Sequence, residues 1–199
     1  STMMDEDFTF IDAKENNATP KTCRVEAWIL LIPTQGTGTI RVNLKSNDGG
    51  TATADVAAGA IAAAGVDTSS ISNAVASSVF SFDLSNQASA SFVTDQPPSR
   101  LCVGVVATEG HLNVVSAGFH TESWNGSTTG TNPVTGAGGH RRGDDNNARF
   151  RWNIDLAGVP TSTQWVAGVV SLRPITRASV SLERFSATVT SVESTAGRK

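Results

Sequence analysis

Trp165-Val166-Ala167-Gly168-Val169-Val170-Ser171-Leu172-Arg173-Pro174 reads as the closing strand of a β-domain: it is apolar or small on both faces and ends at a proline that cannot extend a ladder. The chain nevertheless continues through Ala178-Ser179-Val180-Ser181-Leu182-Glu183-Arg184-Phe185-Ser186-Ala187-Thr188-Val189-Thr190, which again has strand composition. A strand needs a sheet edge to pair with, so this surplus segment joins either its own domain or a neighbouring copy. The first arrangement gives a self-contained sandwich and the second a polymer subunit. We divide the chain into a β-sandwich domain over 1–174 and a C-terminal strand or donor arm over 175–199.

Working outward, alternation of apolar and polar residues dominates, and helical periodicity is almost absent. Phe8 and Phe10 alternate with Asp7 and Thr9; Ile40, Val42 and Leu44 with Arg41 and Asn43; Phe80, Phe82 and Leu84 with Ser81 and Asp83; Phe150, Trp152 and Ile154 with Arg151 and Asn153. Each pattern is that of a strand with one wet face. Residues 25–32, 101–107 and 165–172 are apolar on both faces and predict central strands. Residues 54–64 are read as a tightly packed strand on the strength of Val56, Gly59 and Ile61. Turn clusters at Pro33–Gly38, Asn47–Gly50, Asp95–Pro98 and Gly158–Pro160 space the strands as in an all-β, jelly-roll-type sandwich of two antiparallel sheets. Residues 125–147, rich in Gly, Thr, Asn and Asp, predict one long loop, either mobile or functional.

A chain of 199 residues suits one large all-β domain, with 39% hydrophobic and only 17% charged residues. A net charge of -3 offers no field for nucleic acid, and the longest apolar runs are strand-sized, which argues against membrane insertion. The chain begins Ser1-Thr2-Met3-Met4, without the basic and apolar regions of a signal peptide, which fits a processed product or one lacking its original start. Two cysteines leave two readings open. A Cys23–Cys102 disulfide would close a loop of about 80 residues and contribute on the order of 4 kcal/mol; otherwise both are reduced, small apolar residues.

Arg24-Val25-Glu26-Ala27-Trp28-Ile29-Leu30-Leu31-Ile32-Pro33-Thr34-Gln35-Gly36-Thr37-Gly38-Thr39-Ile40-Arg41-Val42 resembles a β-sandwich repeat of secreted bacterial surface proteins and some phage surface proteins. The resemblance continues in order through Ala58-Gly59-Ala60, Gly65-Val66-Asp67, Leu101–Ala107, Thr121–Asn125 and Trp165–Pro174, spanning most of 8–174. It implies a jelly-roll or concanavalin-like sandwich in adhesive, wall-associated or virion-surface proteins, and no catalytic residues to carry over. Such domains usually open with strands ahead of the position of Phe8 and Phe10, and stop near Pro174. A missing opening strand would leave an unfilled groove. Phe8, Phe10, Leu101, Val103 and Val105 are the candidate acceptor groove. Val180, Leu182, Phe185, Ala187 and Val189 are the candidate assembly strand, bent near Glu183-Arg184 where the apolar register shifts.

Motifs for chemistry are sparse. His111, His120 and His140 stand in no nucleophile, zinc or phosphate motif, so no enzyme is expected. No cofactor is expected either, although calcium could sit at Asp5-Glu6-Asp7 or Asp144-Asp145, which read first as solvated acidic turns. Arg142-Gly143-Asp144 reads as a chance tripeptide. Trp28, Trp152 and Trp165 are expected in the core, which leaves Trp124 as the candidate glycan platform. Asn17-Ala18-Thr19 and Asn125-Gly126-Ser127 are glycosylation sequons. The leading expectation is a non-enzymatic structural or adhesive subunit of an extracellular filament or cell-surface assembly, its partner being other copies of itself through strand exchange. A protein of the virion surface gripping a capsid neighbour, or a carbohydrate-binding module, are the alternatives.

Overall fold

Residues 101–107 and 165–172 lie side by side at the centre of a five-stranded antiparallel sheet, as their two-sided apolar character requires. The computed structural model describes residues 7–19, 22–32, 40–44, 55–92, 97–110, 113–129, 133–143, 148–155, 163–175, 181–182 and 189–194. The large sheet runs in the order β5 (Val75–Ser85), β12 (Thr163–Leu172), β7 (Leu101–Glu109), β10 (Val134–Arg142) and β9 (Thr121–Ser127). A three-stranded antiparallel sheet, β6 (Gln87–Ser91), β11 (Arg149–Asp155) and β8 (Asn113–Ser116), covers one of its faces. The chain is an all-β sandwich. From β5 to β12 it passes back and forth between the two sheets, and the resulting order β5-β12-β7-β10 against β6-β11-β8 is jelly-roll topology, with β9 turned onto the edge beside β10.

The second face of the large sheet is covered by an antiparallel pair, β1 (Thr9–Glu15) and β2 (Arg24–Ile29). Period-two alternation divides the strands between these layers. On β12, Trp165, Ala167 and Val169 face the three-stranded sheet and join Phe150, Trp152, Ile154, Val106 and Val114 in the main core. Val166, Val170 and Leu172 face the other way, against Cys23, Val25, Ile11, Ala27 and Ile29. A four-residue helix, α1 (Ile71–Ala74), leads into β5 and is capped by the Ser70 hydroxyl, which accepts from the Asn73 N–H at 3.1 Å.

Two further pairs stand outside the roll. β4 (Ala63–Ala64) pairs antiparallel with β13 (Ser181–Leu182), and β3 (Ile40–Leu44) pairs parallel with β14 (Val189–Ser194). The described part of the C-terminal segment is thus attached to its own chain, and to no strand of the five- or three-stranded sheet.

Three expectations are corrected. Residues 125–147 are not one loop, because β9 and β10 occupy much of the stretch and β10 lies inside the large sheet. Its glycines are the reason for the misreading. They make room for rings from elsewhere, since a methyl group at Gly138 would strike the Trp124 indole and one at Gly139 the His120 imidazole. Residues 25–32 are not a central strand: β2 has one buried side, and Trp28 on the other is 50% exposed. Among the described residues of 54–64, only Ala63 and Ala64 are strand.

Candidate functional site

The outward side of the β1–β2 pair combines exposed rings with fixed charge. On β2, Val25, Ala27 and Ile29 turn inward, so Arg24, Glu26 and Trp28 turn outward. On β1 the register shifts between Phe10 and Asp12, a bulge that keeps Phe10 outward opposite Trp28 and swings Asp12 toward β5. Phe10 and Trp28 meet edge to face, with centroids 5.1 Å apart and planes at 69°. The Trp28 indole N–H donates to Glu26 at 2.9 Å; Arg24 donates to the same carboxylate at 2.5 Å and to Glu15 at 2.7 Å. The outer face of the pair therefore carries a corner of two rings continued by a chain of ion pairs from Glu26 through Arg24 to Glu15.

An open groove of about 520 Å³ runs beside it along β1, lined by Phe10, Asp12, Lys14, Glu15, Arg24 and Phe82, with Asn17 at its end. Asp12 accepts from the Ser78 hydroxyl at 2.9 Å and from the Ala13 N–H at 2.8 Å, and the Lys14 ammonium lies 5.2 Å from the Phe82 ring centre. Asn16 is fully buried and fixes the turn between the strands: its side-chain amide donates to the Thr22 hydroxyl at 2.5 Å and accepts from the Thr22 N–H at 3.1 Å. The rim of the groove is held from beneath.

The five candidate groove residues are not brought together. Leu101 and Val103 are covered by Ile11, Ala27 and Ile29, and Val105 packs with Cys23 and Val25, so the chain's own β1–β2 pair fills that face. Phe8 and Phe10 instead point to solvent, 39% and 45% exposed. Of the assembly strand, Leu182 lies in β13 and Val189 in β14, while Val180, Phe185 and Ala187 fall outside the described residues. Cys23 and Cys102 form no disulfide, because they lie on opposite faces of the large sheet. Burial, and next the charge of Glu109, push the Cys23 thiol up to about 12 against a smaller opposing hydrogen bond from Thr22.

Trp124 lies over β10. Gly59 of the 55–62 segment approaches the fused edge of its indole, and a Cβ there would be nearly equidistant from three contiguous ring carbons, which places it above the ring face. That face is occupied and offers a sugar no platform. Both sequon asparagines are exposed, but the Asn125 side-chain amide donates to the Val114 carbonyl, and only Asn17 stands clear at the end of β1.

His120 is buried against Phe150 and Trp152, at centroid distances of 4.9 and 4.6 Å, with no hydrogen bond to either ring nitrogen. Desolvation first, then the charges of Arg141 and His140, drop it to about 4. The Ser123 hydroxyl stands 2.8 Å from His140 Nδ1 at the β9 bulge, and burial lowers His140 as well. His111, Asp5, Glu6, Asp144 and Asp145 lie outside the described residues, among which no three His, Cys, Asp or Glu side chains converge as a metal site requires. No helix among those residues is long and apolar enough to cross a membrane.

The ring pair and ion network were missed because residues 25–32 look apolar throughout. The clue was Arg24-Val25-Glu26, whose alternation already assigns an outer face. Comparison of the chain with protein-family models, curated proteins and solved structures finds no match.

Proposed function

We propose that this chain is a non-enzymatic structural subunit of an extracellular or cell-surface assembly, joined to copies of itself by exchange of its C-terminal ribbon. The observation that carries the reading is the placement of β13 and β14, which among the described residues pair with β4 and β3 alone, while the roll from β5 to β12 closes without them. Isolated two-stranded pairs are marginal in water, so the ribbon can leave its own β3 and β4 at modest cost. The same contacts can form on the next copy, the symmetry rule of exchanged elements. The acceptor is therefore the edge of β3 and β4, in place of the filled face over Leu101 and Val103.

Chains carrying Val42→Cys, refolded with chains carrying Val192→Cys and treated with a short thiol crosslinker, should yield covalent dimers, because positions 42 and 192 are register partners. Deleting 176–199 should abolish long assemblies in electron micrographs. Crosslinking confined to a double variant, within single chains, defeats the reading. A virion-surface role is the second reading, favoured by the jelly-roll strand order, which viral coat and lectin domains share. Closed shells instead of filaments in the micrographs would select it.

A further inference from the structure

We propose that the outward side of the β1–β2 pair binds a neutral oligosaccharide, with Phe10 and Trp28 as the stacking corner and the groove along β1 as the hydrogen-bonding subsite. The inference does not depend on strand exchange, since it uses no residue of the C-terminal ribbon.

The chemistry of the face selects the ligand. The carbon-bound hydrogens of a pyranose form a weakly apolar face that packs on an aromatic ring, while its hydroxyls need donors and acceptors beside that ring. Trp28 is 50% exposed and its indole N–H is already bonded to Glu26, so the ring is held in place before anything binds. Little side-chain freedom is then lost on association. Phe10 meets it at 69°, closing one side of the corner. Phe10 also lines the groove, which makes the stacking surface continuous with Asp12, Lys14, Glu15 and Asn17.

Charge excludes the acidic alternatives. Around the corner and groove stand three carboxylates, Asp12, Glu15 and Glu26, against two cations, Lys14 and Arg24. Arg24 is engaged by both glutamates, and Lys14 lies over Phe82. A phosphate, sulfate or uronate would meet net negative charge with both cations already engaged. Uncharged hydroxyls meet carboxylate oxygens able to accept from neighbouring hydroxyls in pairs.

Apolar area favours a small ligand over a protein partner: the exposed parts of Phe8, Phe10 and Trp28 amount to roughly 100 Å² each, against about 800 Å² of total surface that each side contributes to a stable protein interface. A groove of about 520 Å³ lies within the range of small-ligand sites.

The test is a titration of the full chain, by calorimetry and tryptophan fluorescence, with cellohexaose, xylohexaose, mannohexaose and chitohexaose, and with oligogalacturonate and a heparin hexasaccharide as acidic controls. At least one neutral hexasaccharide should bind and change the fluorescence, and both acidic controls should not. Trp28→Ala should weaken that binding at least tenfold, and Phe10→Ala severalfold, with melting temperatures close to the parent. Glu26→Gln should weaken it less than Trp28→Ala, because the ring remains. Silence from all four neutral probes, preference for an acidic one, or unchanged affinity in Trp28→Ala overturns the proposal. So does dissociation of a self-associated parent by Trp28→Ala in light scattering, which would make a second copy the occupant of the face.

Discussion

The two covers of the large sheet are unequal. Under the three-stranded sheet lies one continuous core in which Phe150 and Trp152 are wholly inaccessible, with His120 stacked on Phe150 and tilted against Trp152. Under the β1–β2 pair lie two smaller clusters, built largely from partly buried residues. A three-stranded sheet spreads enough side chains to seal its face, whereas a two-stranded ribbon seals only the strip beneath it. The larger cover maintains the fold. The smaller one leaves its outward rings open to solvent beside an ion network.

Breaking the larger cover should cost most. Trp152→Ala should destabilise by about 3–5 kcal/mol in denaturant titration, whereas Trp28→Ala should stay within about 1 kcal/mol; equal losses would abolish the distinction. Acid probes the same core through His120. Its folded value of about 4 lies below the unfolded 6.5, so the unfolded chain takes up the proton first. The stability due to its neutral form is full above pH 6.5 and is lost as pH falls through 4, an effect on the order of 3 kcal/mol. His120→Phe should flatten that part of the stability profile, and a slope unchanged between pH 6.5 and 4 would rule it out.

Close approach sharpens the comparison next. Gly138→Ala drives a methyl group into the Trp124 indole and should cost about 1–3 kcal/mol. Gly126→Ala, in the neighbouring strand with open space before it, should change stability by less than about 0.5 kcal/mol in the same titration. The one stabilising change lies just past the end of β2. Ile32 is a β-branched residue at φ 54 and is 72% exposed, so Ile32→Asn should raise stability by about 1 kcal/mol by relieving the left-handed backbone.

The roll was legible where pattern and burial coincide. Phe80 and Phe82, and residues 150–154, alternate because one side of each strand meets the core, and 101–107 and 165–172 are apolar throughout because both sides of the large sheet are covered. Legibility failed where space is filled from another part of the chain. In β10, Gly136, Ala137, Gly138 and Gly139 are buried without bulk of their own, because Trp124 and His120 lie across three of these positions. Local composition there reads as a loop, and only the register of β9 against β10 shows otherwise. The ring corner failed for the converse reason: Ile29, Leu30 and Leu31 follow Trp28 directly, and their apolarity hides its outward turn. Only the alternation of Arg24, Val25 and Glu26 just ahead of it marks Trp28 as facing water.

The parallel ladder of β3 with β14 joins positions roughly 150 apart, Ile40 beside Val189. During synthesis, β3 must wait for about 150 further residues to be made before its partner exists. Under the proposed strand exchange, nascent chains crowded on one messenger present early strands to the late strands of their neighbours, and local chain concentration at translation sets the balance between closing alone and linking up.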